Sequence, residues 1–278
     1  RTNTLLPKVF DATFSSEGSV ALRFVESGAL RTYSASILTA SSTAQASSSP
    51  GRLSGAYLTG ELLAIAPGEK NTLISLARES LGTSVVQSSW QGSGQKKLVT
   101  LPLSEWRLLV AEDGTIVIAQ KASDGISGSA YTLSANGALT PIIENVPGLV
   151  VHPKNSTVSL YSSDGALFVK TPSGTSALPI STSAEKCVWA RGSTLIAYCA
   201  VPRISLGARG IQDRYQGLRH SGDSWYRVDV AAGTAVEFFA PDTSALIDVE
   251  KPRIDVANRY IAFTNAADKS FWLLRIAP

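Results

Sequence analysis

The densest concentration of groups that could grip an anion or another protein lies in one stretch, residues 203–224. It carries Arg203, Arg209, Arg214, Arg219 and His220, opposed only by Asp213 and Asp223, with Tyr215 and Gln216 interleaved and Trp225 adjoining. A planar guanidinium pairs bidentately with carboxylate or phosphate, and Arg together with aromatic residues is the composition that binding hot spots favour. Those eight residues, Arg203, Arg209, Arg214, Tyr215, Gln216, Arg219, His220 and Trp225, form the candidate binding set. A structural reading stands beside the functional one: the stretch folds over one face as a plug, with Tyr215 and Trp225 as core anchors. The two readings are compatible. Extended through Arg227, the stretch holds an excess of three positive charges, equal to the +3 of the whole chain. The remainder is balanced and has no basic stripe, so a pI near 8.9 does not make nucleic acid an expected partner.

Catalytic patterns are scarce. The chain has two His, so a Ser-His-Asp triad would have to use one of them, and neither is placed persuasively. His152 sits in an apolar strand where a lone imidazole reads as hydrogen-bonded packing before it reads as a base. No Gly-x-Ser-x-Gly elbow or His-Glu-x-x-His helix accompanies it. Residues 92–97, GSGQKK, suggest a phosphate loop faintly, but they lack the spacing and lead into a strand where a helix is needed; they read as a hairpin turn. Asn155-Ser156-Thr157 satisfies a glycosylation sequon within a predicted tight turn. No catalytic residue, metal site or cofactor is expected.

Cys187 and Cys199 are the only cysteines and lie symmetrically about Ser193, the centre of a predicted hairpin. Directly opposed residues in a non-hydrogen-bonded antiparallel pair sit about 4.5 Å apart at Cα, within reach of a disulfide. Two buried free thiols are the alternative; a metal or redox pair lacks the close spacing. A disulfide here implies an oxidising compartment.

The elements that must position these residues emerge from an internal repeat. Strand-like segments at 19–24, 71–76, 114–119, 156–161, 193–198 and 258–263 share a small or polar turn followed by β-branched and aromatic residues. Aligned on Val20, the second residue of its segment, and on the third residues of the others, Leu73, Ile116, Val158, Leu195 and Tyr260, the segments recur at a mean of about 48 residues, near the ~40 to 50 residues of a four-stranded propeller blade. Gly, Asn and Asp turns such as Asp113-Gly114, Asp164-Gly165, Asn136-Gly137 and Ser173-Gly174 supply the positive φ of tight hairpins, three to a unit. Helix signals are poor throughout. The expected fold is all-β, a six-bladed β-propeller of four-stranded antiparallel blades, with seven blades as the alternative. It reads as a single domain over 1–278, with blades at roughly 7–58, 61–104, 105–146, 147–182, 185–240 and 246–278, the last joined by 1–6. Pairing of the N- and C-terminal strands would close the ring and remove exposed sheet edges. Residues 40–51 read as a flexible polar loop. The five Trp fall in different blades, where inter-blade packing is the default expectation. A chain of 278 residues without Met, opening on Arg1, reads as a trimmed piece of a longer product. A signal peptide or anchor would then lie outside it.

The hairpin Phe14-Ser15-Ser16-Glu17-Gly18 and the segment from Trp189 to Tyr198 resemble the W-S-P-D-G-x-x-I-A-Y repeat of TolB-type, WD-repeat-like propellers. The stretch from Lys186-Cys187-Val188-Trp189 through Arg214-Tyr215-Gln216-Gly217 to Asp223-Ser224-Trp225 resembles a family of uncharacterised envelope propellers of candidate-phylum bacteria. That family commonly has Trp-Tyr-Gln-Gly where Arg214 stands here, and usually carries an N-terminal hydrophobic anchor. The resemblance implies the fold and an extracytoplasmic location, in the envelope or secreted, and brings no assigned activity.

Together these features point to a non-catalytic extracytoplasmic scaffold that binds a protein or an anionic envelope polymer through residues 203–224. A glycan-acting hydrolase or lyase with its site at the channel mouth is one alternative. A purely structural module of a larger envelope protein is the other. No membrane span is expected within the chain, since no apolar run approaches the ~18 residues required.

Overall fold

The computed structural model describes residues 9–38, 52–204, 209–242 and 245–276. Its strands form six antiparallel sheets in chain order. The first contains β1 (Val9–Phe14), β2 (Ser19–Glu26), β3 (Ala29–Leu38) and β4 (Arg52–Tyr57); the second β5 (Leu62–Pro67), β6 (Thr72–Glu79), β7 (Gly82–Ser89) and β8 (Lys96–Leu101). The third contains β9 (Trp106–Val110), β10 (Ile116–Gln120), β11 (Ser127–Leu133) and β12 (Leu139–Pro147); the fourth β13 (Val150–Pro153), β14 (Ser159–Ser163), β15 (Ala166–Thr171) and β16 (Gly174–Ser181). The fifth contains β17 (Cys187–Trp189), β18 (Ile196–Pro202), β19 (Asp223–Asp229) and β20 (Thr234–Phe239). The sixth has three strands among the described residues, β21 (Val249–Ile254), β22 (Tyr260–Asn265) and β23 (Phe271–Arg275).

Each sheet is an up-and-down meander, and the fold is a six-bladed β-propeller. The six repeated segments all fall on the second strand of a blade: β2, β6, β10, β14, β18 and β22. The strand expected from residues 1–6 and the polar loop at 40–51 lie outside the described residues. The chain divides into two compact units, residues 1–110 with 133–139 and residues 111–132 with 140–278.

In the first unit, Ala21 of the first blade packs with Leu62, Ile65, Leu73 and Trp90 of the second. Arg23, largely buried, donates from Nε to the Leu62 carbonyl at 3.1 Å and from Nη1 to Asp11 at 2.9 Å.

In the second unit, strand alternation sends successive side chains of the fifth blade to opposite neighbours. Cys187, Trp189, Ala197, Cys199 and Val228 pack with Val158, Leu160, Leu167 and Val169 of the fourth blade. Val188, Ala200 and Trp225 pack with Val249, Ile254, Ile261 and Phe263 of the sixth. Each large apolar side chain so buried contributes about 1.5–3 kcal/mol. Four of the five Trp are buried; Trp272, stacked on Phe263 at 6.4 Å, is partly exposed.

Cys187 and Cys199 are register partners across β17 and β18 and form a disulfide with Cα atoms 4.0 Å apart. Both are buried within the apolar contact between the fourth and fifth blades. The bond closes the hairpin between two strands that the same contact must hold. The unreduced protein is expected to weigh about 2 Da less than the dithiol, since two hydrogens are lost on bond formation. Replacing both cysteines by Ser is expected to lower stability by about 2–4 kcal/mol in urea unfolding. An unchanged unfolding midpoint would show that apolar packing alone sets the hairpin.

Candidate functional site

The insertion between β18 and β19 is the longest excursion between strands of one blade, and the structure sorts its charges into two groups. One helix forms in it, α1 (Gly210–Tyr215). Nothing in the local sequence announces this helix, because its first residue is preceded by Arg209, which makes no side-chain cap. The cap comes from the third blade instead. The Asp124 carboxylate accepts from the backbone N–H of Ile211 at 3.3 Å and of Gln212 at 2.9 Å, and Gln212 Nε2 donates to Ser123 Oγ at 2.9 Å. Two of the four orphan donors of a helix start are thereby satisfied by a residue more than eighty positions away. Gly148 lies beneath the helix with φ of 58°. A Cβ there would come within 3.1 Å of Ile211 Cδ1 and 2.8 Å of Asp164 Oδ1. The left-handed backbone and the close approach both require glycine.

The far end of the insertion is held by a buried ionic cluster. Lys186 Nζ, its side chain 1% exposed, donates to Asp223 Oδ2 at 2.6 Å, to Asp248 Oδ1 at 2.7 Å and to Ser221 Oγ at 2.6 Å. An ammonium has three donors, and all three are used. Asp248 also accepts from Ser221 Oγ at 3.2 Å and from His220 Nδ1 at 3.1 Å, and its backbone N–H donates to Asn265 Oδ1 at 2.9 Å. Asp223 accepts the Val249 N–H at 2.8 Å. Arg214, 8% exposed, forms an ion pair with Glu185, donates to the Val249 carbonyl at 3.0 Å and lies 3.5 Å from Asp248. Tyr215 Oη donates to Glu185 at 3.2 Å. Arg203 reaches the carbonyls of Gly222, Pro241 and Ala245 at 3.2–3.4 Å.

Of the eight candidate binding residues, Trp225 is wholly buried in the contact with the sixth blade, and Arg214 is consumed by the cluster. His220 and Arg203 are anchored to the sixth blade and the connection before it. Arg209, Tyr215, Gln216 and Arg219 are exposed, with Arg209 at 69% and Arg219 at 48%. Lys186, Glu185, Ser221, Asp223 and Asp248 are the cluster residues that the candidate set omits. A signal for one of them is present: Asp248 is a charge embedded in the apolar run Leu246 to Val249, and such a charge must find a partner.

The Lys186–Ser221 contact has the residue types of a base and nucleophile. An ammonium clamped by two carboxylates acts as a donor, however, and Ser221 is itself buried. The cluster therefore positions the insertion and presents no nucleophile to solvent. His152 is not part of it. It lies in β13, where its backbone carbonyl accepts from Trp189 Nε1 at 3.2 Å. Desolvation, followed by the charges of Arg253 and Lys154, pushes its pKa down to about 4.

No protein-family model matches the chain, and no curated protein matches it. Solved structures do. The tricorn protease superposes with a TM-score of 0.59 at 7% identity over 96% of this chain and 29% of that one. A functionally unknown protein from Desulfotomaculum acetoxidans superposes at 0.57 with 10% identity over 98% and 84% of the two chains. TolB from Acinetobacter baumannii superposes at 0.54 with 9% identity over 93% and 64%. This chain thus spans under a third of the tricorn protease chain. The likeness defines a class, the β-propellers, in which TolB-type structures are among the neighbours; at these identities it concerns the fold alone. No helix among the described residues is long and apolar enough to cross a membrane.

Replacing Lys186 by Met is expected to cost about 3–5 kcal/mol, because two buried carboxylates lose their counter-charge. Replacing Lys186, Asp223 and Asp248 together by apolar residues is expected to cost less than Lys186→Met alone. A triple variant that unfolds more readily in urea would contradict this account of the cluster.

The pH response is expected in two windows. His152 has a folded pKa below its unfolded value of about 6.5, so the unfolded chain binds more protons between about 6.5 and about 4. Stability falls as pH drops through that window. Burial alone would raise the Asp248 pKa, but the Lys186 charge and hydrogen bond, then Arg214 and His220, hold it below the ordinary carboxylate value. Its contribution is complete above about 3.9 and is lost as pH falls below that. Urea midpoints for His152→Gln should therefore flatten the upper window and leave the lower one. A variant with the parent profile in both would exclude His152.

Proposed function

We propose that the chain is a non-catalytic, extracytoplasmic binding scaffold whose insertion, residues 203–224, is its contact surface. One observation carries the reading: Arg214 and His220 of the insertion pair with acidic residues outside it, Glu185 and Asp248, while Arg209 and Arg219 lie substantially exposed beside the insertion's own Asp213. Arg214 and His220, together with Lys186, converge on Asp248. Arg209 and Arg219 project from the same segment into solvent. An insertion held this firmly presents a pre-organised surface, which lowers the entropic cost of binding.

The buried disulfide supports an oxidising location outside the cytoplasm. The neighbours by fold include a protease and TolB, so fold alone favours neither an enzyme nor a binder. What favours binding is that the charges of the cluster are paired with one another, Lys186 with Asp223 and Asp248 and Arg214 with Glu185. As a binder it would engage a protein carrying negative charge and would need no bound cofactor.

Site-specific photo-crosslinking in an envelope extract tests the reading. Benzoylphenylalanine in place of Gln216 is expected to give a discrete adduct. The same group in place of Thr157, in the turn between β13 and β14, is expected to give none. Equal adducts from both positions, or none from Gln216, would remove the insertion from the role of contact surface.

A further inference from the structure

We infer that the Cys187–Cys199 bond is a maturation lock on the insertion: oxidation of the pair orders residues 209–224, and the dithiol form leaves them loosely held. Its consequence for a partner rests on the reading of the insertion as the contact surface; the lock itself does not.

The inference comes from what stands next to the bond. Ala184–Lys186 form a single 3-10 turn. Its last two residues, Glu185 and Lys186, both reach across to the insertion. Glu185 pairs with Arg214 and accepts from Tyr215 Oη at 3.2 Å. Lys186 Nζ donates to Ser221 Oγ and Asp223 Oδ2, each at 2.6 Å. The next residue is Cys187, whose N–H donates back to the Ala184 carbonyl. The turn that grips the insertion therefore ends on the disulfide.

The other half of the bond belongs to the strand that launches the insertion. Cys199 lies in β18, which ends at Pro202, and the base of the insertion closes where the Arg203 N–H donates to the Gly222 carbonyl at 2.9 Å. Strand β17 is three residues long, and Cys187–Cys199 is its register pair nearest the turn. So short a ladder offers few hydrogen bonds of its own. The covalent bond fixes the turn against β18, so the side chains that grip the insertion are held in place relative to its base. Without the bond, the two sulfurs must separate to non-bonded contact. Three directed hydrogen bonds converging on Lys186 Nζ tolerate little of that displacement.

Burial fixes when the bond forms. Cys187 is 1% and Cys199 0% exposed, within the apolar contact between the fourth and fifth blades. A soluble oxidant reaches them before that contact closes. The step is thiol–disulfide exchange with a disulfide-bearing oxidant, which accepts two electrons and leaves as two thiols, taking up the two protons the cysteines lose; one Sγ–Sγ bond forms. Oxidation, closing of the contact and seating of the insertion then follow in that order.

Amide hydrogen exchange on the full chain, read by peptide mass, tests the lock. The chain refolded and held in excess dithiothreitol, and the variant Cys187→Ala, Cys199→Ala, are each compared with the oxidised chain. Both are expected to exchange about tenfold faster over 209–224 and at the parent rate over β6 and β7. Leu167→Ala is the control. It thins the same apolar contact from the fourth blade with the bond intact, and is expected to leave the insertion at the parent rate.

Unchanged exchange over 209–224 in the dithiol chain would overturn the inference. So would the same acceleration in Leu167→Ala, which would trace it to general stability, or a rise shared equally by β6 and β7. Partner contact is read separately, from the adduct of benzoylphenylalanine at Gln216. Its yield should drop about tenfold in the dithiol form, as the competent fraction falls. An equal yield from both forms would overturn the gating of a partner by the bond. No adduct from either form would count against the contact-surface reading, and the exchange rates would still decide the lock.

Discussion

The geometry of the second unit depends on one buried ammonium. Lys186 stands at the start of the fifth blade, and its three hydrogen bonds reach Ser221 and Asp223 at the end of the insertion and Asp248 at the start of the sixth blade. Three separate pieces of chain are fixed relative to one another at a single nitrogen. Removing such a charge from water is costly, and its attraction to two carboxylates repays that only when every donor is used and the geometry is good. Those conditions are met here, so the cluster specifies one arrangement of the insertion. An apolar contact of the same size could hold the segments together but would tolerate sliding; directed bonds do not.

The blades are tied differently at their two ends. At the turns between first and second strands, short polar links join neighbours. Lys154 Nζ donates to Glu112 at 2.7 Å and to the Ala190 carbonyl at 2.5 Å, Asp113 accepts the Ser156 N–H at 3.0 Å, and Asn258 accepts the Arg191 N–H at 2.7 Å. The first unit has the same device, with Asn71 Nδ2 donating to Glu17 at 2.6 Å. Most of these links join adjacent blades, and Glu112 of the third blade also accepts the Gly192 N–H of the fifth at 3.2 Å. At the other end the insertion contacts the third, fifth and sixth blades at once, through Asp124, Glu185 and Asp248. Stapled turns resist separation of adjacent blades, while a strap over several blades can also carry a surface of its own.

How much of this is legible in the sequence follows from the range of each interaction. The repeated second strands are visible because half-buried and buried strands write their burial into local residue types, and the turns that flank them need Gly, Asn or Asp for reasons local to the turn. The Cys187–Cys199 register is legible because both partners belong to one hairpin. The helix α1 is not, since its cap is supplied by Asp124 from another blade. For the same reason Arg214 and Arg219 cannot be told apart by type. One meets Glu185 and Asp248 across chain separations of 29 and 34 residues, and the other turns outward beside Asp213. Composition locates the excess of charge; only the fold decides which charges are spent.

That division bears on why a long insertion here should be polar at all. Loops generally run over the surface and need no buried charges to stay in place. An insertion anchored by apolar side chains alone would leave its arginines equally available and equally mobile. Here Arg214, buried, and His220, part-buried, face acidic residues contributed by the connections before the fifth and sixth blades. The exposed members, Arg209 and Arg219, share a carboxylate of the insertion itself. The first arrangement removes conformational freedom when the protein folds, and the second keeps two guanidinium groups beside one carboxylate at the surface. As the proposed contact surface, the insertion would meet a partner with much of its ordering cost already met in folding, which is the physical condition for pre-organised recognition.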